Sequence, residues 1–391
     1  MTRCFDIAVV GAGPVALCFA RSLSGLGLRI ALIEKQPLSA LSVPAFDGRE
    51  IALTHRSVRI LRDIDVWERI PDREIAPVRE ARVLNGPSTY FMNIEPGHGN
   101  RGELGFLVPN HLIRKAAHES VAGAPGVELL AEERVADIRT AGNEVCLTLA
   151  GGSQLTASLL VAADGRFSET RRLLGIPAAL RDFGRTMLLC RMQHERPHGQ
   201  VACEWFDYGQ TVAILPLAGN CSSIVITLPD GEAQRLRASS EADFNSEVER
   251  RLRHRMGRMR RISPLCAYPL VGVNPRRLIA PRCVLLGDAA LGMHPVTAHG
   301  FNFGLYGQAT LADEIGKAVA CGADIGSAAL LSRYERAHRL ATMPLYLATN
   351  AIVTLYNLDV PPARLARDLL LRLANNVTPF KRMVAASLTR G

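Results

Sequence analysis

Lysine is almost missing from this chain. Of its 46 basic residues only Lys35, Lys115, Lys317 and Lys381 are lysines, so the net charge of +9 is carried by arginine. That excess reflects either a coding bias toward arginine or attraction to an anionic membrane surface or an anionic cofactor. Aromatic residues make up only 5%, and no basic run interleaves with them, which excludes the stacking platform of a nucleic-acid binder. The densest basic run, Arg250-Arg251-Leu252-Arg253-His254-Arg255, falls on a predicted helix and reads as a solvated face. Paired cysteines are also missing: all nine stand alone with no Cys-x-x-Cys. Neither a zinc ribbon nor a dithiol centre is expected, no metal is expected, and unpaired thiols suit a reducing cytoplasm. No long apolar run spans a membrane. Residues 340–358 carry no charge, but Thr342, Pro344, Thr349, Asn350, Thr354 and Asn357 interrupt them, so a buried or interfacial helix is expected. A strand signal starts directly after Met1-Thr2-Arg3, leaving no room for a targeting segment.

What is present is an α/β pattern. Phe5 to Val10 reads as a strand, Pro14 to Leu26 as a helix closed by Gly27, and Arg29 to Ile33 as a second strand ending on Glu34. Helices are expected over Arg59–Ile70 and Asn110–Val121, hairpin strands over Val127–Leu149, and a buried strand over Leu159–Ala163. Residues 180–270 change character to antiparallel strands followed by a helix at 241–256, after which Arg282 to Leu286 return to a buried strand. The expected fold is a Rossmann-like dinucleotide domain (1–180 and 273–340), interrupted by a mainly antiparallel substrate domain (181–272) and closed by C-terminal helices (341–391).

Chemistry is carried by three motifs. Gly11-Ala12-Gly13-Pro14-Val15-Ala16 fits G-x-G-x-x-G/A between strand and helix. Gly11 allows the tight turn, Gly13 lets backbone approach a pyrophosphate, Pro14 starts the helix, and Ala16 permits close packing. Glu34 can accept hydrogen bonds from the adenosine ribose. The second motif is Asp164-Gly165, following an apolar strand. The third is Gly287-Asp288-Ala289-Ala290, where Asp288 ends a buried strand and can hold a ribityl hydroxyl. His294-Pro295 then leads through Gly300-Phe301-Asn302 into a helix whose N-terminal amides face developing negative charge. Together these select FAD as the dinucleotide.

In this order and spacing the motifs resemble the class A flavoprotein monooxygenases, the aromatic hydroxylases related to p-hydroxybenzoate hydroxylase. The resemblance covers essentially the whole chain. His294-Pro295, Gly300-Phe301-Asn302, Trp205-Phe206 before Ile214-Leu215-Pro216-Leu217, and Asp47-Gly48-Arg49-Glu50-Ile51-Ala52-Leu53 look most like the ubiquinone-biosynthesis branch. The resemblance implies that Arg49 and Asn110 lie near the flavin. Two positions depart from the family pattern: Leu291 replaces a usual histidine, and Ala298-His299-Gly300 replaces Gly-Gln-Gly.

The resemblance also implies that NAD(P)H reduces the flavin and that O2 then forms a C4a-hydroperoxide that hydroxylates an electron-rich ring. No Ser-His-Asp, metal-ligand or paired-carboxylate constellation is expected beside such a cofactor, which carries the hard chemistry itself. His294 and His299 are the candidate catalytic side chains, for deprotonating a phenol or stabilising reduced flavin. The expected substrate is a polyprenylated phenol or demethoxyubiquinol intermediate of ubiquinone synthesis. The alternatives are a hydroxylase of a small soluble aromatic acid and a non-catalytic flavin-binding assembly subunit. Between 362 and 375, Leu365, Leu369, Leu370 and Leu373 share one helical face opposite Arg364, Arg367, Asp368 and Arg372. Such a helix either packs on its own domain or rests on anionic lipid, so peripheral contact with the inner membrane or a ubiquinone-biosynthesis complex is an expected association.

Overall fold

The computed structural model describes residues 3–88, 90–96, 102–207, 209–357 and Arg367. The chain opens with β1 (Arg3–Val10), α1 (Pro14–Leu23), β2 (Ile30–Glu34), α2 (Leu38–Ser42), β3 (Glu50–Leu53) and α3 (His55–Asp63). It continues through β4 (Ala76–Val78), β5 (Glu80–Asn85), β6 (Phe91–Ile94), β7 (Gly105–Pro109) and α4 (Asn110–Val121). Next come β8 (Val127–Ala131), β9 (Val135–Ala141), β10 (Glu144–Leu149), β11 (Gln154–Ala162) and α5 (Glu169–Leu173). The middle contains β12 (Ala178–His194), β13 (Val201–Asp207), β14 (Gln210–Pro216), β15 (Cys221–Pro229), α6 (Asp230–Arg237) and α7 (Glu241–Arg251). The last part is β16 (Met259–Arg261), β17 (Cys266–Pro275), β18 (Ile279–Ala280), β19 (Cys283–Leu285), α8 (Gly300–Ala320) and α9 (Ala328–Asn357).

Three sheets result. The first runs β18-β19-β11-β1-β2-β8, with β9 and β10 attached through β11. Its central pairs β19–β11, β11–β1, β1–β2 and β2–β8 are parallel. Buried on both sides, these strands read as the near-continuous apolar runs that parallel sheets require. One face packs Ile7, Val9 and Leu32 against Leu17 and Phe19 of α1, Ile113 of α4 and Leu311 of α8. Because β1 lies between β2 on one side and β11 on the other, the carboxyl ends of β1 and β11 form the crevice where ligands bind in open α/β sheets.

The second sheet runs β16-β12-β15-β14-β13-β5-β6 with β17 on β12, and only β13–β5 is parallel. Trp205, Leu188, Ile214 and Ile226 on one face pack against Phe244 and Val248 of α7. The third is the small sheet β3-β7-β4.

Several boundaries differ from the sequence expectations. The first helix ends at Leu23 rather than Leu26, because Gly25 and Gly27 turn the chain at φ +93° and +76°. The helix expected over 59–70 is α3, starting at His55 on a Thr54 cap; Asp65, at φ +57°, ends the helical path before a short 3-10 turn at Trp67–Arg69. The helix at 241–256 stops at Arg251, where Arg253 and His254 take positive φ. The second sheet also exceeds the interval 181–272: β12 starts at Ala178, β17 ends at Pro275, and β5 and β6 join it from residues 80–94. Of the amphipathic stretch 362–375 only Arg367 is described; the rest lies outside the described residues. Arg367, expected on the polar face, is 1% exposed and donates to the Leu355 carbonyl at 3.0 Å. No helix among the described residues is long and apolar enough to cross a membrane.

Among the glycines of α8 the least room is at Gly304, where an added Cβ would lie 2.6 Å from Val15 Cγ2 of α1. Gly316 on the same helix has no atom closer than 3.9 Å to that position. Gly304→Ala should therefore cost about 1–3 kcal/mol through overpacking, while Gly316→Ala should gain up to about 1 kcal/mol. Urea midpoints at unchanged slope read both; equal effects would contradict the packing.

Candidate active site

The glycine turn is built by two strands. Gly11 N–H donates to the Ile33 carbonyl at 2.8 Å, and Ala12 N–H to Glu34 Oε2 at 2.7 Å. Glu34 Oε1 also accepts from Gln36 N–H at 2.9 Å. Glu34 thus braces the turn while keeping further lone pairs for a ribose. Gly11 sits at φ +100°, and a Cβ there would meet the Ala163 carbonyl oxygen at 2.6 Å and Asp164 Cα at 3.0 Å. The end of β1 therefore touches the Asp164-Gly165 turn directly. Gly13 caps α1, Pro14 occupies its first turn, and Ala16 is 1% exposed in the core.

Asp164 is used locally. Its carboxylate accepts from the Ser168 hydroxyl at 2.5 Å and the Thr170 N–H at 2.9 Å, fixing the start of α5. Gly165, at φ +87°, leaves open space above it. The third motif arrives from the other side: a Cβ on Gly287 would lie 3.5 Å from Val15, and one on Gly304 would lie 3.7 Å from Gly287 Cα. Val15 is thus the point where α1, the Gly287-Asp288 turn and α8 meet.

A charged rim surrounds this meeting point. Arg49 donates to Asp47 Oδ2 at 2.7 Å, and Asn110 Nδ2 donates to the same oxygen at 2.7 Å. Burial disfavours the Asp47 charge, but Arg49 and the hydrogen bonds from Arg49 and Asn110 outweigh it, holding the carboxyl below its ordinary range. Arg166 donates to Asp288 Oδ2 at 3.2 Å and to the Val271 carbonyl at 2.9 Å, tying the second motif to the third.

The segment 294–302 closes the site. Pro295 begins a 3-10 turn, and His294 Nδ1 accepts from Val296 N–H at 3.2 Å. His294 packs edge-on to Phe183 at 4.8 Å. Burial, then the charges of Arg185, Arg166 and Arg181, push its pKa down to about 4, so it is neutral at neutral pH. His299 donates from Nδ1 to the Thr297 carbonyl, and its buried Nε2 has no partner. Burial lowers its pKa too, against the opposing hydrogen bond to Thr297. The first intrahelical bond of α8 runs from Phe303 N–H to the His299 carbonyl at 2.9 Å, so the N–H groups of Gly300, Phe301 and Asn302 are free of helical partners. The Asn302 side chain is fully engaged. It accepts from Thr54 N–H at 3.1 Å and the Ser57 hydroxyl at 2.6 Å, and donates to the carbonyls of Ala52 at 2.8 Å and Ala298 at 3.0 Å. Asn302 therefore acts as a tie between α8 and β3–α3, and only its backbone is available to a ligand. Leu291, one of the two departures, packs with Met293 and Tyr346 in an apolar cluster where a histidine would lose its water.

These residues fit an FAD. No atom lies within 4 Å of a Cβ built on Gly13, Gly165 or Gly300, so open space stands above three points of the turns. Two helix N-termini supply unpaired N–H groups, and the His299 Nε2 acceptor is orphaned. Among the described residues no group of His, Cys, Asp and Glu could hold a metal. The FAD binding domain family matches residues 4–345. The ubiquinone hydroxylase UbiM of Neisseria meningitidis is 44% identical over 388 residues, spanning 98% of this chain and 84% of that protein.

The chain belongs to the class A FAD-dependent monooxygenases.

A second relative, the ubiquinone hydroxylase UbiL of Rhodospirillum rubrum, is 34% identical and spans 97% of this chain and 88% of its own length. The p-nitrophenol 4-monooxygenase PnpA of Pseudomonas putida superposes at a TM-score of 0.78 with 19% identity, covering 99% of this chain and 98% of that one, and shows the same fold. In this monooxygenase the sequence reading gave no role to Asp47, Arg166 or Tyr268. Asp47, two residues before Arg49, and Arg166, two after Asp164, are charged neighbours of expected cofactor residues, and that spacing is the signal that points to them. Tyr268, whose hydroxyl donates to the Asp47 carbonyl at 2.8 Å, had no local signal.

Asn302→Ala should strand the Thr54 N–H and Ser57 hydroxyl, costing about 2–4 kcal/mol and loosening FAD. Urea unfolding and flavin fluorescence measure both, and unchanged values would contradict the tie.

Proposed function

We propose that this monooxygenase hydroxylates the ring of a polyprenylated phenol or demethoxyubiquinol in ubiquinone biosynthesis, with NAD(P)H as electron donor. The carrying observation is the 44% identity to a protein named ubiquinone hydroxylase, held over 98% of the chain. Bound FAD would supply the redox chemistry, moving electrons from the nicotinamide and one oxygen atom of O2 to the ring.

The chain's own residues would do the rest. The α1 amides beyond Gly13 would face the diphosphate, Glu34 the ribose, and Asp288 the ribityl chain. Arg49 and Asn110 would edge the flavin, and the free amides of Gly300, Phe301 and Asn302 would meet negative charge on it. His299 Nε2, a buried acceptor, would take a hydrogen bond from an N–H or O–H donor brought by FAD or substrate. Neutral His294 would line the same wall without adding charge.

Contact with a lipid surface fits the apolar face of α9, where Leu340 is 69% and Leu347 60% exposed one heptad apart. The FAD-loaded protein should float with anionic liposomes and stay behind with neutral ones; no flotation with either removes lipid contact from the reading.

Supplied with NADPH, air and a short-chain demethoxyubiquinol, the protein should turn over with hydroxylated product matching NADPH consumed, read by mass spectrometry. NADPH oxidation yielding only hydrogen peroxide would contradict the activity. His299→Gln should cut the rate of flavin reduction or the product fraction by about tenfold or more; leaving both intact would remove His299 from the mechanism.

A further inference from the structure

The second sheet has two unlike faces. One is covered by α6 and α7. The other faces the flavin-side loop: Tyr268 reaches the Asp47 carbonyl, Arg191 Nε donates to Glu50 at 2.8 Å, and a Cβ on Gly48 would lie 3.1 Å from Cys266 Sγ. On this face the register aligns Leu189, Val225, Ala213, Glu204 and Val83 in one row across the strands. Two apolar clusters occupy its ends, one around Met187, Leu189 and Leu270 and the other around Met92, Ile94 and Leu107. Ala213 and Glu204 belong to neither. In the row they stand between Val225 of the first and Val83 of the second.

Glu204 is half-buried, and among the described residues its carboxyl makes no hydrogen bond or ion pair. A carboxyl alone on an apolar sheet face is costly and contributes nothing to the fold. Its remaining use is recognition of a group presented to this face.

We propose that Glu204 receives the hydrogen bond, and then the proton, of a hydroxyl on the aromatic substrate. The inference rests on the hydroxylase reading above. In the step the substrate O–H bond breaks, a new O–H bond forms on the Glu204 carboxylate, and the electron pair stays on the ring oxygen, enriching the ring for attack. No electrons leave or enter. Burial pushes the Glu204 pKa up to about 8. An ordinary carboxylate, near 4.3, is roughly six units short of a phenol near 10, and a group at about 8 closes most of that distance. The charged and titratable side chains on this face are Arg191 with its Glu50 partner and Arg185, which donates to the Gly209 carbonyl at 2.7 Å, both on β12, Tyr268 and Cys266 on β17, Tyr90 beside the Met92 cluster, and Tyr356 of α9 against Phe206 at 4.0 Å. None contributes to the Glu204 shift, for which burial is the sole cause.

The test uses the FAD-loaded protein. Since Glu204 acts as the ionised base, kcat/KM should rise about tenfold from pH 7 to pH 9. Glu204→Gln should abolish that rise and lower the plateau about 100-fold, with FAD content retained. Turnover-independent binding, followed by the flavin absorbance change, compares 2-heptylphenol with its methyl ether. The unsubstituted protein should prefer the phenol by tenfold or more, and Glu204→Ala should bind both alike. A phenol preference that survives Glu204→Ala, an equal weakening of both ligands, or a pH rise kept by Glu204→Gln would overturn the proposal. Absence of hydroxylated product from the unsubstituted protein would instead overturn the reaction reading, leaving the phenol preference to judge Glu204 by itself.

Discussion

The structure depends on one close approach of backbone to backbone. Gly11 brings the end of β1 against the Ala163 carbonyl, and Val15 one turn later fills the notch between Gly287 and Gly304. Any Cβ at Gly11 or Gly304 would hold these segments apart by an ångström or so, enough to misplace every amide that faces the crevice. The parallel pairs β1–β2 and β11–β1 supply the rigid frame, and the large apolar cluster beneath α1, α4 and α8 holds it closed. The functional consequence is preorganisation: the donors stand in place before any ligand arrives.

Electrostatics around that approach are arranged in layers. Arginines and carboxylates at the rim neutralise one another, as in Arg49–Asp47 and Arg166–Asp288. Deeper in, His294 and His299 are kept neutral by burial. At the α8 N-terminus the partial charge that faces a ligand comes from helix amides, which stabilise a negative group without titrating. A cofactor that brings its own redox chemistry leaves these side chains the smaller task of positioning the substrate and handling its proton.

Most of the dinucleotide half was legible in the sequence, because a βαβ unit is local: strand, glycine turn, helix and Glu34 fall within one short stretch. The same holds for Asn110, which opens α4 at the expected residue. What was not legible is non-local. Glu80–Asn85 reads as no particular element, and it becomes a strand only by parallel pairing with Val201–Asp207. Asn302 looked like a cofactor ligand, yet its amide is spent on Thr54, Ser57, Ala52 and Ala298, partners some 250 positions away that no pattern can reveal. Asp164, expected among the cofactor-binding residues, is likewise occupied by Ser168 and Thr170. The short spacing of those partners could have suggested it.

The central claim is that three distant segments hold a single FAD. Protein purified, soaked in FAD and desalted should be yellow, absorbing near about 450 nm, with one flavin per chain. A colourless protein after that treatment would contradict the account.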